Sequence, residues 1–276
     1  MSFRTKRRIF TGVAYLLSFI ALIATLFPII WIFTISIKTQ RDAFSMPPVW
    51  FFEPVWSNYT EIWQTAGFSR AFQNSVIVTI IGVLLALVAG IPAAYALNRL
   101  SFRGKKMLRI WLLVAYMFPE FLFIIPMYVL YQRLGLYDTQ IGLAIVYQVF
   151  VLPFAIWLLR GFFEDVPTEI EDAALIDGCS RFQILRRIYI PLTAPGIAAT
   201  AILMAIWIWN ELTIALALTF DASKTVTVAV AGFRGYASIN WGGMTAASIV
   251  SIIPMLAFAA IAQRYIVEGL TLGAVK

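Results

Sequence analysis

Long apolar segments with few charges constrain this chain more than any other feature of its sequence. Hydrophobic residues make up 61% of the 276 residues, charged residues make up only 13%, and the mean hydropathy is +0.85. A soluble domain of ordinary composition is far less apolar. A helix needs about 20 consecutive apolar residues to cross the hydrocarbon core of a bilayer. The sequence therefore predicts one integral membrane domain and no sizeable soluble domain.

Six segments are long and apolar enough to be spans, and we predict an all-α polytopic membrane protein with six transmembrane helices in a single domain over residues 1–276. The predicted spans cover approximately residues 11–37, 71–97, 108–131, 141–159, 197–218 and 242–262. Every span except the fifth contains a proline, and the fifth begins just after Pro195. Kinked helices favour a bundle around a cavity over a plain membrane anchor.

The basic residues indicate which side of the membrane each loop faces. Six spans put both termini on the same side. Of the 21 Lys and Arg residues, only these lie on the opposite side: Lys38, Arg41, Arg70, Arg133, Lys224 and Arg234. Cytoplasmic loops carry the excess of Lys and Arg. We therefore expect both termini, and the polar loop at residues 164–195, to be cytoplasmic.

Two residue types are scarce enough to exclude common kinds of active site. The sequence contains no His and a single cysteine, Cys179, so it can form neither an internal disulfide nor a zinc site nor a Ser-His-Asp triad. It also lacks a G-x-x-x-x-G-K-[ST] phosphate loop, so any ATP hydrolysis must come from another chain. The net charge of +7 is distributed by side of the membrane and does not predict a nucleic-acid partner.

The loop at residues 164–195 is the one long polar interruption in the second half of the chain. Thr168 and Glu171 have the spacing of a capping box, which predicts a helix after Thr168, and Gly178 predicts its end in a positive-φ conformation. Small alanines on one stripe of this helix would let another backbone approach, and the flanking acids suit a basic groove.

A second short helix is predicted directly after this corner. Ser180 and Gln183 repeat the capping-box spacing. The helix is expected to run to about Ile190, where Pro191 would stop it. Two capped helices would therefore meet at a sharp turn.

The loop resembles a known family motif. Residues 172–191 resemble the EAA loop of the permease subunits of ABC importers. The matching positions are Asp172-Ala173-Ala174, then Gly178 after three residues, and then Ile188-Tyr189-Ile190-Pro191 after nine more. Asp172 stands where the commonest pattern has Glu, and Ile190 stands where it has Leu. Each departure is a change of one methylene or of branching, which alters the motif little.

The resemblance implies that this loop is a coupling helix seated in a cleft of a cytoplasmic ATPase subunit, which binds ATP and Mg²⁺ in place of this chain. It implies that this chain is a transport subunit and not an enzyme, with no cofactor of its own. The positions that would contact the ATPase subunit are Glu169, Glu171, Asp172, Ala173, Ala174, Asp177, Gly178 and Arg181.

Further motifs resemble the second permease of carbohydrate importers, similar to the maltose and glycerol-phosphate systems. They are Asn74-Ser75, the run at residues 93–97, the turn at 134–139, Trp209-Asn210-Glu211 and the tail at 268–276. The resemblance implies a bacterial inner-membrane heterodimer with a homologous permease, two ATP-binding subunits and an extracytoplasmic solute-binding protein. It also implies that segments 38–70 and 221–241 face the binding protein and that the tail contacts the ATPases.

Polar side chains inside the predicted spans are candidate substrate contacts, because placing them in lipid is costly. Sugar hydroxyls need paired donors and acceptors, and the sugar ring needs an apolar surface. The predicted substrate path is lined by Tyr116, Glu120, Tyr147, Gln148, Trp207, Asn210 and Glu211. Alternatively, Gln148 and Asn210 hold helices together and the aromatic residues serve packing, with the main site in the partner permease.

Two other function classes are alternatives to a sugar-importer permease. A carrier driven by an ion gradient would use Glu120 or Glu211 as its proton site. It should show a second, inverted half, which the sequence lacks. An intramembrane enzyme would have neither His nor a metal cluster to work with. The Pro119-Glu120 pair is unusual for the family and leaves the identity of the sugar open.

Overall fold

The computed structural model of this chain describes the backbone of residues 3–64, 67–233 and 240–274, and the side chains of residues 10–64, 67–233 and 240–263. Every regular element in these ranges is helical, in agreement with the all-α prediction. The helices are α1 (Phe3–Ser36), α2 (Gln40–Ala43), α3 (Ser57–Gln64), α4 (Phe68–Arg99), α5 (Lys105–Tyr116), α6 (Phe121–Leu134), α7 (Gln140–Glu164), α8 (Thr168–Ile176), α9 (Arg181–Ile184), α10 (Ile190–Leu192), α11 (Ala194–Asn210), α12 (Thr213–Leu218), α13 (Val226–Gly232) and α14 (Trp241–Ala274). A π-helical turn, Leu185–Tyr189, joins α9 to α10.

Four helices within the described ranges are long and apolar enough to cross a membrane by themselves. They are Phe10–Ser36, Phe68–Arg99, Gln140–Glu164 and Trp241–Gln263. Two bent pairs pass the same test when taken together: Lys105–Tyr116 with Phe121–Leu134, bent by 95°, and Arg181–Leu192 with Ala194–Asn210, bent by 79°. By length and composition, the chain therefore offers four spans, or up to six if each bent pair is one span.

The segment expected to form one kinked span over residues 108–131 is divided into α5 and α6. The break falls at residues 117–120 and contains Pro119. Proline has no backbone N–H and disfavours helical geometry in the residue before it, so Phe118 leaves the helical path. Pro126 lies inside α6 without ending it. The two prolines therefore act differently, and the break places Glu120 at the start of α6.

The second helix of the polar loop continues beyond the predicted stop. Pro191 was expected to end it, but the helical path runs from α9 through the π-helical turn into α10 and ends at Leu192, so that prediction is wrong. Pro191 is the second residue of α10, and its missing N–H removes one donor without ending the helical path. The expected fifth span is interrupted as well, because α11 ends at Asn210 before α12 begins.

The described chain divides into two compact units, one from residues 1–66 and 230–250 and the other from residues 67–229 and 251–276. In the larger unit, α4 and α7 pack along their length with α11 beside them. Small residues allow this close approach: a Cβ at Gly90 would lie 3.5 Å from the Cβ of Ala155, and one at Gly82 would lie 2.7 Å from Ile208 Cδ1. These three helices form the frame on which the polar sites are held.

The smaller unit contains α1, whose most apolar stretch has no buried side chain within the described chain. A helix that is apolar on all faces is stable in lipid or against a partner. The helix predicted to open at Ser57 is present as α3, with Ile62 fully buried. Tyr59 lies 2.7 Å from the Ser36 hydroxyl, and Lys38 donates to Val49 O at 2.7 Å, which fixes the segment after α1.

Candidate functional site

Helix α8 begins without the capping box predicted for its first turn. Its N-cap residue is Pro167, no side chain caps the helix there, and Thr168 is already helical. The prediction of a Thr168–Glu171 capping box is therefore wrong. The Glu171 side chain is only 4% exposed and turns toward neighbouring helices, where hydroxyl and guanidinium groups are available. Such donors bind a carboxylate more strongly than a single backbone amide does.

Four side chains from three other elements converge on the Glu171 carboxylate. Tyr95 Oη of α4 donates to Oε1 at 2.9 Å, and Tyr189 Oη of the π-helical turn donates to Oε2 at 2.7 Å. Arg181 at the start of α9 donates to Oε1, and Arg99 Nε at the end of α4 lies 3.6 Å from Oε2. We call these five residues the Glu171 cluster. A buried carboxylate with this many donors is held in one position.

Arg99 extends the Glu171 cluster to the end of α7. Its Nη2 donates to Phe163 O at 3.0 Å and also to Val166 O. Its guanidinium lies 5.5 Å from the centre of the Tyr189 ring, and the Tyr95 and Tyr189 rings pack edge to face at 5.0 Å. The ends of α4 and α7, the helix α8 and the π-helical turn are therefore joined at one point.

The corner between α8 and α9 has the local structure predicted from the sequence. Gly178 has a φ of +83°, and Cys179 N donates to Ala174 O at 2.9 Å, which closes the end of α8. Ser180 and Gln183 form the reciprocal capping box at the start of α9. Both predictions are confirmed, because each depends only on residues next to one another in the chain.

The outward face of the corner is acidic and apolar. Among the predicted ATPase-contacting positions, Glu169, Asp172, Ala173, Asp177, Gly178 and Arg181 are exposed, whereas Glu171 and Ala174 are buried. Two large apolar side chains also lie on this surface: Ile176 is 86% exposed and Phe182 is 70% exposed. Neither residue belongs to the predicted contact set, although an apolar residue among polar loop residues is a sequence signal for such a contact. Exposed apolar groups rimmed by charge are typical of a protein interface.

A cavity of about 530 Å³ lies among α5, α6, α7, α11 and α12. It is lined by five of the predicted substrate-path residues: Tyr116, Glu120, Trp207, Asn210 and Glu211. Trp207 stacks on Phe150 at 5.8 Å, and Tyr116 stacks on Phe154 at 6.1 Å, so much of the wall is aromatic. The cavity combines flat apolar surfaces with a few polar groups, which is the usual composition of a small-molecule site.

Glu120 reaches this cavity because the helix breaks beside it. As the N-cap residue of α6 it follows Pro119 directly and lies partly exposed on the cavity wall. No described residue donates a hydrogen bond to its carboxylate or pairs with it. Asn210 lies on the same wall and donates to Ile206 O at 2.8 Å, one turn back in its own helix. The carboxylate of Glu120 therefore remains available to a guest in the cavity.

Glu211 has a structural role as well as a place on the cavity wall. Its side chain is 7% exposed and accepts hydrogen bonds from Ile214 N at 2.7 Å and Ala215 N at 3.0 Å, which satisfies the first turn of α12. Tyr147 Oη donates to Glu211 Oε2 at 2.8 Å. The acid therefore stabilises the chain break between α11 and α12.

Tyr147 and Gln148 do not line the cavity. Tyr147 is fully buried behind Trp207, with the two rings edge to face at 5.6 Å. Gln148 Nε2 donates to Gly82 O at 3.1 Å and to Ala144 O at 2.9 Å, so it links α7 to α4. The positions of both residues match the alternative of helix contacts that the sequence left open.

At the opposite end of α4 from Arg99, a second polar cluster fixes the loop after α12. The Asp138 carboxylate accepts hydrogen bonds from the backbone N–H groups of residues 220, 221, 222 and 223 at 2.9–3.1 Å. Burial alone would raise the pKa of Asp138, but these four donors together hold it well below its usual value. Asn74 donates to Ala222 O and Lys224 O, each at 3.0 Å, from α4. The sequence analysis gave Asp138 no role.

Comparison with known proteins places this arrangement in a family. Residues 79–271 match the model of the family described as binding-protein-dependent transport system inner membrane component. The trehalose transport system permease protein SugB of Mycobacterium tuberculosis is 40% identical over 257 residues, covering 91% of this chain and 92% of that protein. The diacetylchitobiose uptake system permease protein DasC of Streptomyces coelicolor is 34% identical, covering 98% and 97%.

The fold is also that of a solved transporter. A crystal structure of a bacterial ABC transporter involved in the import of the acidic polysaccharide alginate contains a chain that matches with a TM-score of 0.79 and 28% sequence identity. The match covers 94% of this chain and 97% of that one. The sequence, the loop corner and the fold agree, and the chain belongs to the family of binding-protein-dependent transport system inner membrane components, as a permease subunit of an ABC transporter and not an enzyme.

Proposed function

We propose that the chain is the membrane-spanning subunit of an importer for a sugar or sugar derivative, which a solute-binding protein delivers and whose transport is coupled to ATP hydrolysis on separate subunits. The observation that carries the proposal is the acidic and apolar face of the α8–α9 corner. Relatives named for trehalose, diacetylchitobiose and alginate support the class of substrate. The alternative of an ion-gradient carrier gains no support from the comparisons.

The bent pair of α5 and α6 is proposed to be one span and α11 with α12 another, which gives six spans with both termini in the cytoplasm of a bacterial inner membrane. The excess of Lys and Arg on the side of the termini supports this orientation. It puts the α8–α9 corner in the cytoplasm, where ATP is available. It also puts the Asp138 loop on the outer side, where a solute-binding protein would dock.

The α8–α9 corner is proposed to be the contact with the ATPase. Ile176 and Phe182 would enter an apolar cleft of an ATP-binding subunit, and Glu169, Asp172 and Asp177 would face basic residues at its rim. ATP and Mg²⁺ would be bound by two such subunits. A homologous permease would form a heterodimer with this chain in the membrane. The corresponding loop of that permease would contact the second ATP-binding subunit.

The cavity is proposed to be this subunit's part of the substrate path. A sugar ring packs well on flat aromatic faces such as Trp207 and Tyr116, and hydroxyl groups donate to carboxylate and amide oxygens such as those of Glu120 and Asn210. Tyr147 and Gln148 would support this wall from behind without touching the sugar.

The proposal is tested by reconstituting the chain with its partner permease, ATPase subunits and solute-binding protein in proteoliposomes. We expect sugar uptake that requires both ATP and the binding protein. The single cysteine allows a separate orientation test on the permease pair without its ATPase subunits. In a Cys179→Ser background, Asp177→Cys should react only with a reagent on the side to which the ATPase subunits bind. Uptake driven by a proton gradient without ATP would contradict the proposal.

A further inference from the structure

Two neighbouring acids of α8 have opposite surroundings, and the difference is unexpected from their place in one motif. Asp172 is exposed on the surface proposed to contact the ATPase. Glu171 is 4% exposed and bound on the inner side by the other members of the Glu171 cluster. A side chain buried in this way is not available to a partner subunit. Its partners therefore indicate what it does.

Those partners belong to the elements that lead from the loop into the membrane. Tyr95 and Arg99 lie in the last two turns of α4. Arg99 also donates to the carbonyl groups of Phe163, in the last turn of α7, and of Val166, just after α7. Tyr189 lies in the π-helical turn, which continues through α10 to α11. Helix α11 carries Trp207 and Asn210 at the cavity. Through Glu171, α8 is thus bonded directly to α4 and to the π-helical turn. The chain runs on from that turn through α10 and a 79° bend into α11, which lines the cavity.

The bonds are of a kind that resists separation. A carboxylate that accepts two phenol hydrogen bonds and faces two guanidinium groups cannot be pulled away without leaving buried polar groups unpaired. Apart from Glu171, α8 contacts the core through the buried Ala174 and the partly buried Leu175. Both contacts are apolar, so Glu171 provides the polar link from α8 to α4 and the π-helical turn.

We infer that Glu171 is a positioning residue that fastens the ATPase-contacting helix α8 to α4 and to the π-helical turn leading into α11, so that these elements move as one body during transport. The inference rests on the proposed contact between the α8–α9 corner and the ATPase. Coupling of ATP hydrolysis to transport needs a rigid link between the helix that the ATPase displaces and the cavity that opens. Without this link, the ATPase subunit would displace α8 alone and would hydrolyse ATP without transporting sugar.

The test measures the number of sugar molecules transported per ATP hydrolysed by the complete reconstituted complex. Glu171→Gln keeps the size of the side chain but removes its charge, and Tyr95→Phe with Tyr189→Phe removes both phenol donors and leaves Glu171 in place. We expect each variant to retain its ATPase subunits on purification and to transport sugar with a sugar-per-ATP ratio lowered about tenfold, within the usual range of coupling between sites. Glu171→Asp should recover part of the ratio.

Glu164→Gln is the matched control, because Glu164 is an exposed acid on the same loop that pairs only with Arg160 among the described residues. Its ratio should equal that of the wild type. An unchanged sugar-per-ATP ratio in the variant with both Tyr95→Phe and Tyr189→Phe would overturn the inference. This result decides the question even if Glu171→Gln is too unstable to purify. Loss of the ATPase subunits from Glu171→Gln, with the tyrosine variant normal, would likewise overturn it.

Failure of the proposed function would look different. Replacing the exposed Asp172 with Asn and Ile176 with Glu should release the ATPase subunits without any change inside the Glu171 cluster. If these substitutions leave the ATPase subunits bound, the proposed docking surface is wrong. The sugar-per-ATP ratio of the Glu171 variants then decides separately whether the link itself exists.

Discussion

Tyr147 Oη donates a 2.8 Å hydrogen bond to the Glu211 carboxylate, and this contact joins the first half of α7 to the break between α11 and α12. Both side chains are buried, and the same carboxylate satisfies two amides of α12. The cavity wall at residues 210–213 therefore depends on an acid whose main partners lie behind the wall. A residue can line a substrate path and still be held there mainly for structural reasons.

We expect Tyr147→Phe to destabilise the protein by about 2 kcal/mol, because it leaves a buried carboxylate with one donor fewer. Thermal unfolding of the purified subunit or complex in detergent measures the change. Glu211→Gln should act in the same direction, and the double variant should cost less than the sum of the two single changes. Fully additive losses would show that the two residues do not interact.

Glu120→Ala should weaken sugar binding in the transport path without destabilising the fold, because the carboxylate lies on the cavity wall with no partner among the described residues. We expect the KM for uptake to rise by about tenfold, equivalent to about one charge-assisted hydrogen bond. Gln148→Ala is the contrasting variant, since it should lower the unfolding temperature and leave the KM unchanged. If both variants change only stability, the cavity is not the sugar path.

Asp138 should protect the loop after α12 over a wide pH range. Its pKa is lower in the folded protein than the value of about 3.9 in an unfolded chain. The carboxylate therefore stabilises the loop fully above that value, and the stabilisation is lost as the pH falls toward the folded pKa. Hydrogen exchange of the amides at residues 220–223 should show strong protection at both pH 7 and pH 5.

Asp138→Asn is the matched variant for this loop. Asn accepts the same positive φ of +54° but offers a single neutral acceptor in place of a carboxylate. We expect exchange of the amides at residues 220–223 to be at least about tenfold faster, as for loss of about one net hydrogen bond or more. Equal protection in variant and wild type would mean that other contacts hold the loop.

Ile176→Glu should abolish retention of the ATPase subunits, because it places a charge where an 86% exposed apolar side chain is proposed to enter an apolar cleft. Co-purification of the tagged permease with its ATPase subunits measures the effect. Phe102→Ala removes another exposed apolar side chain, in the segment between α4 and α5, and should leave retention unchanged. A similar loss in both variants would indicate a general defect of assembly.

Gly178→Val should abolish uptake while the protein still inserts in the membrane. A Cβ at this position meets no atom within 4 Å, so the effect comes from the backbone, whose φ of +83° costs a branched residue about 1–2 kcal/mol or more. Gly178→Asn should transport nearly normally, because Asn tolerates this conformation. Normal uptake by the valine variant would argue against a need for this sharp corner.

Much of the architecture follows from the sequence alone. The apolar runs predicted the four long helices, since crossing a bilayer is decided by the length and polarity of one continuous segment. Gly178 and the Ser180–Gln183 box predicted the corner, because a positive φ and a reciprocal cap are properties of residues a few positions apart. Prolines predicted interruptions, but their spacing does not say that Pro119 breaks a helix while Pro126 leaves one intact.

Only the tertiary structure decided which partner each polar side chain takes. Glu171 fits a capping box by spacing, yet it binds Tyr95 and Tyr189, which lie 76 and 18 positions away in the chain. Gln148 and Glu120 are both polar residues in apolar segments. The packing of α4 against α7 gives Gln148 a carbonyl partner on α4, while a helix break leaves Glu120 facing the cavity. Local geometry is fixed by neighbours in the chain, whereas the choice among distant donors is made when the helices pack.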